Sequence, residues 1–98
     1  MAQVAEGEFE ILNALGLHAR AAAQLVKIAN RYKCDVTVEC EGQSVNGKSI
    51  MGLMTLAAIQ GTVIEIEASG PDADKVVAEL EKFLLSDGDE VPGKDGVK

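Results

Sequence analysis

The sequence predicts an α+β domain, an open-faced sandwich in which a four-stranded antiparallel sheet carries three helices on one face, in the order βαββαβα. Three observations lead there. Acidic and apolar residues alternate in separate segments, the period of a strand with one solvated face. Segments between and after them carry the i, i+3, i+4, i+7 spacing of amphipathic helices. Because the solvated strand faces are acidic, the helices can cover only the opposite side of the sheet.

The first strand is read over Glu8 to Ile11, where acid and apolar residues alternate and Phe9 and Ile11 point inward. After Leu15-Gly16-Leu17, the residues Ala22, Leu25, Val26 and Ala29 make one helical stripe, while Gln24, Lys27, Asn30 and Arg31 take the other face. Val36, Val38 and Cys40 alternate with Asp35, Thr37 and Glu39 in a second strand, and Glu41-Gly42 can turn the chain into a short third one near Gln43 to Asn46. Ser49 suits the N-cap of a second, short helix that Gly61 closes, with Leu53, Leu56 and Ala57 directed mainly to the core. Ile64, Ile66 and Ala68 face one way and Glu65 and Glu67 the other in the fourth strand. Gly70-Pro71-Asp72 then opens a last helix with Ala73, Val76, Val77, Leu80 and Leu84 on its stripe, and Asp72 and Asp74 sit where the helix dipole favours anions. Inserting the fourth strand between the first and second obeys the crossover rules. The pattern assigns residues 1–85 to the domain and 86–98, where no apolar period survives, to a flexible tail.

A chain of 98 residues allows one domain, which should bury roughly 64% of the surface its extended form exposes. With 47% apolar residues, 26% charged residues and two prolines, collagen-like and low-complexity chains are excluded. Nine basic against sixteen acidic side chains leave a net charge of −7, which argues against nucleic acid or anionic lipid as a partner. The uncharged run from Ser49 to Ile64 is broken by polar residues and is shorter than the roughly 20 apolar residues of a membrane span. Glu6, Glu8 and Glu10 occupy the place where a secretory signal would be basic and then apolar, so a cytoplasmic protein is expected. Cys34 and Cys40, if extended, lie roughly 20 Å apart and form no disulfide. They share no metal-ligand spacing with the single histidine, and no cofactor is expected.

Between Glu10 and Asp35 there is no acidic residue, and this window holds Arg20, Lys27, Arg31, Lys33 and the only histidine, His18. His18 falls at the start of the first helix, beside the N–H groups of Ala19, Arg20 and Ala21, which have no intrahelical acceptor. Those donors, the positive end of the dipole and the Arg20 guanidinium would together hold a phosphate or carboxylate. A plain helix cap explains the same placement. With no local Asp or Glu to orient the ring, a triad hydrolase is disfavoured. A histidine that is itself the acceptor fits better, since a phosphoryl group on imidazole is a labile phosphoramidate needing neither nucleotide nor metal.

Gly16-Leu17-His18-Ala19-Arg20 with Ala22, and Asn46-Gly47-Lys48-Ser49-Ile50-Met51 opening the second helix, together resemble the HPr family of histidine phosphocarriers of the bacterial phosphoenolpyruvate phosphotransferase system. The resemblance spans Glu6 to about Leu85. It implies that His18 accepts a phosphoryl group on Nδ1 from phosphorylated enzyme I and donates it to IIA-type proteins, with Arg20 as electrostatic partner and the backbone of Ala19, Arg20 and Ala21 binding phosphate. It places Ser49 on the family's regulatory phosphorylation site, used where an HPr kinase/phosphorylase is present, and Ile50, Met51 and Met54 on a partner-contacting patch. The carrier is itself phosphorylated and is not an enzyme in the usual sense; a monomer is expected. The family usually has proline where this chain has Ala21, which leaves open whether it serves sugar uptake or a regulatory, nitrogen-type branch.

Two other readings compete. Gly42-Gln43-Ser44-Val45-Asn46-Gly47-Lys48-Ser49 satisfies the P-loop pattern G-x-x-x-x-G-K-[ST], though no strand ending in a Walker-B aspartate accompanies it. A protein-interaction module without phosphoryl chemistry would need only the methionine-rich patch.

Overall fold

The computed structural model describes residues 3–85, so the tail expected at 86–98 lies outside the described residues. The elements follow the expected order: β1 (Val4–Glu10), α1 (Ala19–Ala29), β2 (Asp35–Cys40), β3 (Gln43–Asn46), α2 (Ile50–Thr55), β4 (Val63–Ser69) and α3 (Ala73–Leu85). All pairings are antiparallel and the strand order is β1-β4-β2-β3, with the fourth strand inserted between the first and second.

The sheet is one-sided because its register is. Glu6 pairs with Glu67, Glu8 with Glu65 and Glu39 with Glu65, so carboxylates stand opposite one another on the outer face. The alternate residues Val36, Val38, Cys40, Ile64, Ile66 and Ala68 are buried on the inner face. Against them pack Ala21, Ala22, Leu25, Ile28 and Ala29 of α1, Leu53 of α2, and Ala73, Val76, Leu80, Phe83 and Leu84 of α3. Ion pairing and hydrogen bonding at the far end of α1 tie it to α3: the Arg31 guanidinium and the Tyr32 hydroxyl both donate to Glu79.

Several local expectations are corrected. β1 begins at Val4 rather than Glu8, because Gly7, which breaks the apolar period, lies under the Phe9 ring and keeps the inner face continuous. Ile11 falls just past the strand yet prolongs its pairing, donating to Thr62 O (2.8 Å) and accepting from Gly61 N (2.8 Å). α2 ends at Thr55, well before Gly61, and Ala57 is exposed rather than in the core. The cause is backbone geometry: Ala57 takes a left-handed φ of 51°, which stops the helix and turns Ala58 inward to 4% exposure. Phe83, absent from the expected α3 stripe, is buried, while Val77 is only partly so.

Both cysteines are free, and burial pushes the thiol pKa of each upward, which keeps them protonated and weakly nucleophilic. No helix among the described residues is long and apolar enough to cross a membrane.

Candidate functional site

The loop before α1 is built to hold one ring. Ile11 O accepts from Gly61 N at 2.8 Å, Leu12 O from Gln60 Nε2 at 3.0 Å, and Ala58 O from Leu17 N at 2.8 Å, so the loop is laced to the α2–β4 connection. Gly16, at φ +70°, supplies the left-handed turn that brings Leu17 N to Ala58 O; a side chain there would meet that oxygen at 2.5 Å. His18 follows as the N-cap of α1, with extended backbone (φ −82°, ψ −179°).

The expected placement at the helix start therefore holds, but the cap is the imidazole itself. His18 Nδ1 accepts the Arg20 N–H at 3.2 Å, and His18 O accepts from Ala22 N at 2.8 Å. Of the three amide donors expected to lie open, Arg20's is thus engaged by the ring. Ala19 is exposed, whereas Ala21 is 2% exposed, its methyl packed into the core. Arg20 is exposed and His18 half-buried, so solvent reaches both. The first turn of α1 contains no acidic residue, which leaves its positive end uncompensated from within the helix.

The structure also brings to the ring a residue that sequence reasoning passed over. Asn13 is 5% exposed, the one buried polar side chain among the described residues, and its Nδ2 lies 3.2 Å from His18 Nε2. Its Oδ1 accepts the Leu15 N–H at 2.9 Å. The short spacing of an Asx turn is visible in the sequence, but an asparagine in a loop reads as solvated until the fold covers it.

Ser49 caps α2, its Oγ accepting the Gly52 N–H at 3.0 Å. Beside it Ile50, Met51 and Met54 are 40%, 78% and 45% exposed, as expected for residues outside the core. Leu15 and Ile59, at 70% and 68%, are exposed apolar residues on the loops flanking Gly16 that the sequence reading did not single out. α1 and α2 pack together.

The P-loop reading does not survive the fold. Gln43–Asn46 is a strand paired with β2, so the stretch between Gly42 and Gly47 is a sheet edge and not a loop wrapped round a phosphate. Lys48 turns away, donating from Nζ to Tyr32 O at 3.3 Å. Among the described residues no group of three or more His, Cys, Asp or Glu side chains could hold a metal ion.

The class that the fold and site define is an open-faced α+β sandwich whose first helix is capped by a histidine that solvent reaches. Residues 5–86 match the family model described as the PTS HPr component phosphorylation site. The chain is similar to the phosphocarrier protein HPr of Neisseria meningitidis, 51% identical over 75 residues that cover 76% of this chain and 84% of the relative. It is likewise similar to that of Xylella fastidiosa, 44% identical over 79 residues, 81% of this chain and 89% of the relative. Among solved structures it superposes on an HPr from Thermoanaerobacter tengcongensis with a TM-score of 0.84 at 38% identity, covering 89% of this chain and 98% of that one. For the HPr of Bacillus anthracis the TM-score is 0.79 at 37% identity, over 83% of this chain and 96% of that one. The chain belongs to the HPr family, the phosphocarriers of the phosphotransferase system.

Proposed function

We propose that this protein carries a phosphoryl group on His18 Nδ1, taken from phosphorylated enzyme I and delivered to IIA-type proteins in the cytoplasm. The observation that carries the reading is the half-buried His18 ring at a helix N-terminus, its Nδ1 accepting the Arg20 N–H at 3.2 Å. That lone pair attacks phosphorus in line; the bond from phosphorus to enzyme I breaks, its electron pair staying with enzyme I. The Arg20 N–H, fixed in the helix backbone, then faces a phosphoryl oxygen in place of the Nδ1 lone pair. The exposed Ala19 amide and the Arg20 guanidinium add donors, with the buried Ala21 amide behind them. Stabilisation by a helix end is modest, which suits a group that must also leave.

Ile50, Met51 and Met54 form the surface that enzyme I and IIA-type proteins meet, adaptable thioethers serving more than one partner. Ser49 is the site for an HPr kinase/phosphorylase: a phosphate there sits at the start of α2, where its charge is locally tolerated, yet it changes the patch that partners dock on.

The test is loading with enzyme I and phosphoenolpyruvate. The wild type should acquire an acid-labile, base-stable phosphate and His18→Ala none; labelling that persists in the variant refutes the site.

A further inference from the structure

Around His18 the hydrogen bonds cannot all be made in the resting protein. A neutral imidazole has one lone pair and one N–H. Two donors point at it: the Arg20 N–H at Nδ1 (3.2 Å) and the Asn13 side-chain amide, whose Nδ2 faces Nε2 (3.2 Å). Neither can easily turn aside. The Arg20 N–H belongs to the helix backbone. Asn13 is buried to 5% exposure, and its Oδ1 is held by the Leu15 N–H at 2.9 Å, so rotating the amide would set two N–H groups against each other at Leu15. Whichever nitrogen carries the proton, one donor faces an N–H.

Phosphorylation removes the conflict. When Nδ1 bonds to phosphorus, the proton on Nε2 passes to water and leaves a lone pair there. Asn13 Nδ2–H then donates to Nε2, while the freed Arg20 N–H donates to a phosphoryl oxygen. We propose that Asn13 is a positioning residue for His18, holding an N–H donor against Nε2 so that the surroundings of the ring fit the neutral Nδ1-phosphorylated imidazole better than the resting one. This rests on the reading of Nδ1 as the phosphoryl acceptor. It explains why an otherwise costly buried amide stands here. The donor disfavours protonation of Nε2 in the phosphorylated protein, and protonation is what makes imidazole a good leaving group, so Asn13 lengthens the life of the carried phosphoryl group.

Asn13→Asp isolates the effect, because a carboxylate still accepts from Leu15 N but accepts from Nε2–H instead of donating to it. Nitrogen-15 NMR of the unphosphorylated ring should show both tautomers in the wild type and a shift to the Nε2–H form in Asn13→Asp. After loading by enzyme I and removal of the enzyme, phosphorus-31 NMR at neutral pH should show the phosphohistidine of Asn13→Asp hydrolysing about tenfold faster than wild type, the equivalent of one charge-assisted hydrogen bond reversed. Asn13→Ala, which loses the donor without adding charge, should fall between them. Equal lifetimes in all three proteins, or an unchanged tautomer ratio in Asn13→Asp, would overturn the assignment. A wild type that takes no phosphate from enzyme I sinks the carrier reading instead, and the tautomer comparison, which needs no phosphate, still decides the Asn13 contact.

Discussion

The loop that presents His18 depends on one close backbone approach, and two glycines let its worth be measured. Gly16 and Gly42 both have left-handed φ, +70° and +85°, but an added Cβ at Gly42 meets nothing within 4 Å, while at Gly16 it meets Ala58 O at 2.5 Å and Ile59 Cα at 3.0 Å. Gly42→Ala should cost only the left-handed penalty of about 1–2 kcal/mol, partly offset by a less flexible unfolded chain, for a net loss of about 1 kcal/mol. Gly16→Ala carries the same penalty plus a clash with backbone that must shift, comparable to overpacking a core at about 2 kcal/mol, so the total is about 3 kcal/mol. In a domain of this size each kcal/mol moves Tm by about 4–8 °C, so thermal and urea denaturation resolve the two variants readily. The clash falls on the oxygen that accepts the Leu17 N–H, so Gly16→Ala should also displace His18 and slow phosphoryl transfer, leaving Gly42→Ala near wild type. Equal destabilisation by the two substitutions would refute the claim that the close approach to Ala58, and not the φ angle, is what reserves position 16 for glycine.

The facing carboxylates on the outer sheet face give a second prediction. A hydrogen bond shared with Glu8, followed by repulsion from Glu39, raises the Glu65 pKa, so the folded protein holds that proton more tightly than the unfolded chain does. Stability from this group therefore rises as pH falls through the raised pKa and is lost above it. Glu65→Gln should raise Tm at pH 7, and the gap over wild type should close on acidification; a gap that widens toward low pH contradicts the sign. At the second helix, Ser49→Ala removes the acceptor of the Gly52 N–H and should cost about 1 kcal/mol in urea denaturation, while leaving His18 loading by enzyme I intact. An alanine variant as stable as wild type would show that the hydroxyl has no capping role.

Local physics made much of this protein legible. The alternation Glu65-Ile66-Glu67-Ala68 is that of a half-solvated strand, and Ile66 and Ala68 lie inside. Ser49 is a cap by its own chemistry and sits at one. His18, the lone histidine at the edge of an amphipathic run, stands at the N-cap as its position implied. The acidic faces required the helices to lie together on the other side. The exposed patch of Ile50, Met51 and Met54 followed from the same one-sidedness, since a single layer cannot bury every side of an apolar helix. Where the reading failed, the deciding contact came from elsewhere in the chain. The strand expected from Glu8 reaches back to Val4, with the Phe9 ring lying over Gly7, and Ala57, expected in the core, gives that place to Ala58 through a left-handed turn.

What the amino-acid order determined by itself is periodicity and capping: which face of each element avoids water, and which side chain can accept the orphan amides at a helix start. Both act over a few residues, so they are written in short spacings. What only the tertiary structure decided is how far each polar group is removed from solvent and which donor then faces which lone pair. Asn13 and His18 are five positions apart, yet their contact exists because Gly61, Gln60 and Ala58, nearly fifty residues along the chain, lace the loop closed and bury the amide against the ring. Burial and hydrogen-bond competition are properties of an enclosed volume, and no local pattern encodes which distant backbone will enclose it.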